Sequence, residues 1–264
     1  GRRPTTRWRS SATRLAKAER ARQWVMGYET LLRRPRLGAL AWNALRFEAY
    51  RRDTPKPRRR FENLLEPVNF FPEAEPDRVL LEPTRSRAWG VEMLARGGRS
   101  RISWWLAYSY ARSEDRFARD AGPLAGSGRF VPRGMDQPHA VTLDVDWRLS
   151  ESWRLNAAWR YHSGWPITPV SPLDGEGDEE AGATFGALAS ERLPAYHRLD
   201  LRLSRRADLR LGTLTLFLDL QNAYDRSNVS GIDVSIDEDL PDGFELLAEY
   251  WPGIVPSVGV RWDF

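Results

Sequence analysis

The stretch HAVTLDVDWRLSESWRLNAAWRYHSG, residues 139–164, decides how the chain is read. In its first half His139, Val141, Leu143, Val145, Trp147 and Leu149 alternate with Ala140, Thr142, Asp144, Asp146 and Arg148. After Ser150 and Glu151 the alternation resumes. Trp153, Leu155, Ala157, Trp159 and Tyr161 oppose Arg154, Asn156, Ala158, Arg160 and His162. A helix would scatter these residues around its circumference, whereas a period of two puts each set on one face of a strand. The stretch reads as two strands joined by a tight turn, each with one apolar and one polar face.

The same pattern extends in both directions. Leu199, Leu201 and Leu203 oppose Arg198, Asp200, Arg202 and Ser204, and Leu214, Leu216, Leu218 and Leu220 oppose Thr213, Thr215, Phe217, Asp219 and Gln221. The ending VPSVGVRWDF sets Val258, Val260, Trp262 and Phe264 against Gly259, Arg261 and Asp263. Earlier, Leu45, Phe47 and Ala49 alternate with Arg46, Glu48 and Tyr50, and Ile102 through Tyr110 alternate around Trp104 and Leu106. About nine strands result: 22–32, 39–51, 87–97, 101–112, 138–149, 152–163, 195–206, 211–222 and 254–264. They are about twice as long as the strands of most soluble sheets, and of the length a tilted strand needs to cross a bilayer.

The connections alternate between short (33–38, 98–100, 150–151, 207–210) and long (52–86, 113–137, 164–194, 223–253). That is the habit of outer-membrane barrels, with tight periplasmic turns and long extracellular loops. An all-β fold follows: a portion of an antiparallel transmembrane β-barrel. Its polar faces carry the lumen-facing candidates Arg46, Glu48, Asp144, Asp146, Arg148, Arg154, Arg160, Arg198, Asp200, Arg202 and Asp219. An Arg on the lipid face at mid-membrane costs about 2–4 kcal/mol, and no strand places one in the middle of its apolar face. Trp104, Trp147, Trp153, Trp159 and Trp165 are candidates for an interfacial aromatic belt.

Composition fits this reading. The chain has 264 residues, 12 Trp and a net charge of only +4, so bulk charge does not call for nucleic acid. It has no Cys, which removes disulfides, thiolate metal sites and Cys nucleophiles. No run of 18 apolar residues is present to make a transmembrane helix. The basic segment 1–20 lacks an apolar stretch and is expected to be poorly ordered, with the barrel portion over 21–264.

The segments RQWVMGYE, PTRSRAWGVEMLARG, ISWWLAYSYARSEDR, RGMDQPHAVTLDVDWRLSESWRLNAAWRYHSGWPITPV, LPAYHRLDLRLSR and LTLFLDLQNAYDRSNV, in that order, resemble the C-terminal half of TonB-dependent outer-membrane receptors. The resemblance implies a barrel of about 22 strands filled by an N-terminal plug. It also implies uptake of a scarce ligand of the siderophore, cobalamin or glycan class, energised by the TonB complex. No plug, TonB-contacting box or signal peptide is found in the sequence, and nine strands match roughly the last nine of the family. The expectation is a fragment that does not transport by itself. In this family a terminal strand ending on Phe is the signal for the barrel-assembly machinery, which assigns that role to Val258, Val260, Trp262 and Phe264.

Candidate sites outside the strands are few. Asp174, Glu176 and Asp178 are spaced to suit a hard cation such as Ca²⁺ but lack the EF-hand pattern, and a solvated acidic loop is the favoured reading. With Asp237, Glu238 and Asp239 they form candidate ligand loops for cationic or metal-chelate ligands. KPRRR (56–60) reads as a solvated charge run or a contact for lipopolysaccharide phosphates. The aromatic segment 61–79 folds onto the barrel rim, where it supports structure or meets ligand. His139, His162 and His197 show no Ser–His–acid spacing, so no enzymatic activity and no cofactor are expected. The expected partners are outer-membrane lipid and lipopolysaccharide, the plug and remaining strands, TonB, the assembly machinery and a small-molecule ligand. The expected location is the outer membrane. The competing readings are a small self-contained barrel with a structural or adhesive role and a soluble β-rich binding domain.

Overall fold

The computed structural model describes residues 18–31, 42–64, 77–119, 128–173, 182–236 and 244–264. Within them nine long strands build one antiparallel sheet: β1 (Arg22–Leu31), β2 (Trp42–Thr54), β3 (Arg85–Arg99), β4 (Ile102–Arg116), β5 (His139–Arg148), β6 (Trp153–His162), β7 (Tyr196–Leu209), β8 (Gly212–Gln221) and β9 (Val255–Asp263). Every strand pairs with its neighbours in the chain, so the sheet runs from β1 to β9 as a meander without crossovers. Phe130–Pro132 adds a short extra strand to the loop end of β4. β1 and β9 are the two edges.

The nine strands are those expected from the alternation, but several run further. β4 continues to Arg116 and β7 to Leu209. Backbone pairing carries on past the point where apolar side chains stop, so hydropathy alone marks these ends too early. At one end of the sheet the turns are tight. Arg99 pairs with Ile102 and Leu209 with Gly212, each across two residues. Gly212 has φ of 138°, and a Cβ there would lie 2.3 Å from the carbonyl oxygen of Asp263, so the turn requires glycine.

Register gives the sheet two unlike faces. On one, Tyr28, Phe47, Met93, Tyr108, Val141, Tyr161 and His197 lie directly opposite one another across seven strands. On the other, Glu29, Arg46, Leu94, Ala107, Thr142, Arg160 and Arg198 do the same. A slip of one residue in any pair would exchange the faces, so the alternation itself enforces the register. The apolar face packs against nothing within the described residues. Met26 is 76% exposed and Val258 82%.

The apolar face does carry arginines at its borders, Arg205 near the turn end and Arg51, Arg87 and Arg112 near the loop end. Arg205 stands opposite Trp153 and Leu216, with its guanidinium 5.5 Å from the Trp153 ring. It lies at the edge of the apolar band, where a long side chain reaches the polar boundary.

The opposite end of the sheet bears the long connections. Short pairs form within them: Arg60–Asn63 with Arg78–Leu81, Pro166–Ile167 with Glu191–Arg192, Val170–Leu173 with Gly182–Phe185, and Val229–Ile236 with Phe244–Tyr250. The buried apolar cluster is here rather than against the sheet. Leu64, Leu81, Phe117, Leu188 and Ala189 meet there, with Val79, Val131 and Phe185 packed around them. Three loops thus share one small core.

Candidate functional site

The loop layer is fastened to the strand ends by two carboxylates that are each only 1% exposed. Asp115, at the loop end of β4, accepts a short hydrogen bond from the Ser86 hydroxyl and a 2.6 Å bond from Arg60. Arg133 adds a longer contact at 3.7 Å. Asp136 accepts from the Ser113 backbone N–H at 2.6 Å and pairs with Arg192 at 2.5 Å and Arg112 at 3.5 Å. Arg192 also donates to the carbonyls of Asp136 and Gly164, which joins the third loop to the second. Burial works against the Arg60 charge, but Asp115 and Glu62 beside it outweigh that effect and hold its pKa above the ordinary value.

Behind Asp115, on the polar face of β2–β4, lies a concavity of about 520 Å³. Arg52, Arg58, Arg59, Arg60 and Arg133 line it, with Glu19 as the one acidic residue among its lining groups. Glu19 is engaged by the backbone N–H of Arg58 at 2.9 Å. Arg60 is held between Asp115 and Glu62. Arg59 makes only a loose, exposed contact with Glu82 at 3.6 Å. Among the described residues, Arg52 and Arg58 have no carboxylate partner. The concavity therefore presents guanidinium groups not yet neutralised, suited to bidentate recognition of carboxylate or phosphate.

All eleven charged candidates from Arg46 to Asp219 share the polar face by register. Most are already paired. Arg46 meets Glu48 at 2.5 Å, Arg202 meets Asp219 at 2.5 Å, Arg198 meets Asp200 at 3.0 Å and Arg154 meets Asp146 at 3.5 Å. Arg46 and Glu48 border a second hollow of about 420 Å³ in the middle of this face.

Trp104, Trp147 and Trp153 stand on the apolar face at the tight-turn ends of β4, β5 and β6. Trp159 lies further up that face, with its ring 6.1 Å from Tyr161. Trp165 follows β6 and packs its ring 5.2 Å from His162, which belongs to the polar face. Sequence reading missed the aromatics near the loop end of the apolar face: Trp24, Trp89, Tyr110 and Tyr161. Trp153 and Tyr161 are eight residues apart, about 26 Å along a strand. Tilted by about 40°, that separation rises about 20 Å, somewhat less than the apolar band of about 25 Å between the aromatic girdles of outer-membrane barrels.

Val258, Val260, Trp262 and Phe264 are on the apolar side of the edge strand and its end. The acidic candidates Asp174, Glu176, Asp178, Asp237, Glu238 and Asp239 lie outside the described residues, as do 1–17 and most of the 61–79 segment. The histidines are dispersed. His139 bonds Tyr108 and His197 bonds Tyr224 on one face, while His162 stacks on Tyr196 on the other. No group of three or more His, Cys, Asp or Glu suited to a metal occurs among the described residues.

A long-stranded meander with one apolar, aromatic-girdled face, one charged face and a loop cap at one end defines an outer-membrane β-barrel wall. The family described as TonB dependent receptor-like, beta-barrel matches residues 3–223, and the chain belongs to it. Barrels of this family sit in the outer membrane and act as receptors and transporters rather than enzymes.

No curated protein matches the chain. Among solved structures it is similar to the ferric citrate transporter FecA in its unliganded form, at 18% identity and a TM-score of 0.51. That match covers 93% of this chain and 31% of FecA. The siderophore receptor PiuA from Acinetobacter baumannii is also similar, at 14% identity and a TM-score of 0.46, covering 92% of this chain and 28% of that one. The chain thus spans about a third of the length of these structures.

Proposed function

We propose that the chain forms the C-terminal wall of a TonB-dependent receptor that takes up a scarce ligand of the siderophore, cobalamin or glycan class. The observation that carries the reading is the two-faced nine-strand sheet under its loop cap. One face suits lipid and the other a lumen filled by a plug. Arg46, Arg154, Arg160, Arg198 and Arg202, with their acidic partners, face that plug. The free backbone edges of β1 and β9 pair with the remaining barrel strands, and this portion does not transport alone. TonB acts through the plug. The assembly machinery recognises β9 through Val258, Val260, Trp262 and Phe264, and lipopolysaccharide surrounds the loop end.

Within the three ligand classes, the arginine-lined concavity favours an anionic ligand such as a carboxylate-bearing ferric chelate. The test is uptake by cells carrying the complete receptor, compared with cells from which it is deleted. Labelled ferric chelates, cobalamin and oligosaccharides are offered, with and without a protonophore. Loss of energy-dependent uptake of one class in the deleted cells supports the reading. Identical uptake of all three refutes it.

A further inference from the structure

The fourth long connection stands apart from the loop cap. Val229–Ile236 and Phe244–Tyr250 pair with each other and with no other strand among the described residues. This arm rises from the loop end of β8 and returns into β9 through residues 251–254. Its base is pinned on one side only. The Asn228 side chain is 3% exposed, accepts from the His197 N–H at 3.0 Å and donates to the His197 carbonyl at 3.0 Å, copying a rung of the β7 ladder. The Arg226 guanidinium donates to the Ala195 carbonyl at 3.3 Å. Trp251 donates its N–H to the Asn228 carbonyl, and Ile254 donates its own to Asp225, each at 2.9 Å. These bonds draw the link toward β7 and β8. The outer edge of Phe244–Tyr250 stays open, on the same side as the open edge of β9.

Three features mark that edge as incomplete. A two-stranded hairpin is marginally stable alone in water, and an open edge is a template for a further strand. Both faces of the open strand are exposed, with Glu245, Leu247 and Glu249 on one and Leu246, Ala248 and Tyr250 on the other. Charge is one-sided as well. A chain with 40 Lys and Arg has no Lys, Arg or His between Arg226 and Arg261, where seven Asp and Glu fall. Glu245 and Glu249 have no cationic partner among the described residues.

We propose that the strand closing the barrel against β9 runs on beyond the membrane and adds to Phe244–Tyr250 as the third strand of the arm. The inference rests on the reading that β9 pairs with a remaining barrel strand. β9 descends from loop end to turn end, so its partner ascends and meets Phe244–Tyr250 antiparallel after passing a four-residue link of about 13 Å. Opposite-charge pairs across strands are favourable. The added strand therefore carries two basic residues four positions apart, opposite Glu245 and Glu249, with apolar side chains between them against Leu246 and Leu247. The arm becomes an extension of the barrel wall, and the seam is locked above the membrane as well as within it.

Hydrogen exchange on the complete receptor in mild detergent tests this. Along Glu245–Tyr250 alternate amides point toward Val229–Ile236 and away from it. Both sets are expected to be protected, the outward set about a hundredfold relative to open chain. Glu245→Lys with Glu249→Lys speeds the outward set about tenfold and leaves the amides of β9 unchanged. Unprotected outward amides above a protected β9 overturn the inference and leave barrel closure standing. Unprotected amides in β9 as well overturn both. An outward set unmoved by the double variant refutes the basic partner. The chain has no Cys, so a disulfide can identify the occupant. Leu247→Cys is combined with a single cysteine moved along the residues that follow the first barrel strand, and a bond within one receptor is expected between the two basic positions. A bond between two receptors through Leu247→Cys alone makes the occupant a second copy and overturns the proposal.

Discussion

Replacing Asp136 with alanine tests whether the loop cap is held by its buried carboxylates. The side chain is 1% exposed and serves three donors: the Ser113 N–H at 2.6 Å, Arg192 at 2.5 Å and Arg112 at 3.5 Å. Stripping the acceptor from the Ser113 amide costs about 1–3 kcal/mol if the amide stays dry. Removing one partner of a fully buried ion pair costs about 3–5 kcal/mol. The Arg192 side chain is 28% exposed and keeps two carbonyl acceptors, so water and those bonds recover part of that loss. A net of about 2–3 kcal/mol follows, charged to opening of the cap rather than to the barrel.

Hydrogen exchange on the complete receptor reads this directly. The amides of Gly186, Ala189 and Leu193, bonded to Pro169, Thr168 and Trp165, should exchange about 30- to 150-fold faster. Amides in the middle of β6 and β7 should not change. Asp136→Asn keeps an acceptor for Ser113 and loses the charge, so its effect should be about half as large in free energy. Unchanged exchange in residues 186–193, or equal acceleration in the strands, would refute a local anchoring role.

A Cβ at Gly164 would lie 1.7 Å from the Leu193 carbonyl oxygen, so Gly164→Ala must move backbone. A loss of about 2 kcal/mol in cap stability, visible as new protease cleavage between residues 164 and 194 on intact cells, is expected. Gly259→Ala would place a methyl 2.1 Å from the Phe217 ring, which lies 4.4 Å from the Arg202 guanidinium. Partial loss of folded barrel is expected, with recovery when Phe217→Ala is added. Leu201→Arg sets a charge in the apolar band and should cost about 2–4 kcal/mol, reducing the heat-modifiable fraction, whereas Ser204→Arg on the polar face should not. Arg52→Glu with Arg58→Glu should weaken an anionic chelate about tenfold in competition uptake and leave a neutral ligand unaffected.

The wall was legible in the sequence because its information is local. Two-residue alternation in 139–149 and 153–161 needs no knowledge of distant partners, and the nine strands pair in simple chain order. The loop cap was not legible for the opposite reason. Arg60 and Asp115 are 55 residues apart, and Arg192 and Asp136 are 56 apart. No periodicity links them. The basic run at 56–60 illustrates the limit. Read alone it is a solvated charge run, yet folding divides it: Arg60 turns in to a buried carboxylate while Arg58 and Arg59 line the concavity. Asp115 and Asp136 left one weak trace, as acids standing close to arginines at strand ends. Surface pairs such as Arg206–Asp208 and Arg261–Asp263 have the same appearance.

The sheet also argues against a soluble home for the chain. Its largest buried cluster lies among the loops, and neither face of the sheet is covered by another layer of described residues. Met26, Tyr28, Phe47, Val91, Leu216, Leu218, Val258 and Val260 all lie open on one face. Soluble monomers rarely leave continuous apolar patches above a few hundred Å², and a nine-strand face far exceeds that. A soluble sheet with one wet face would bury the other against a second layer. In this chain the wet face is the one with internal partners, because Arg46–Glu48, Arg198–Asp200 and Arg202–Asp219 neutralise one another. The apolar face has no partner within the described chain. Its complement is hydrocarbon, and the sheet holds its register there because any slip would turn those ion pairs toward lipid.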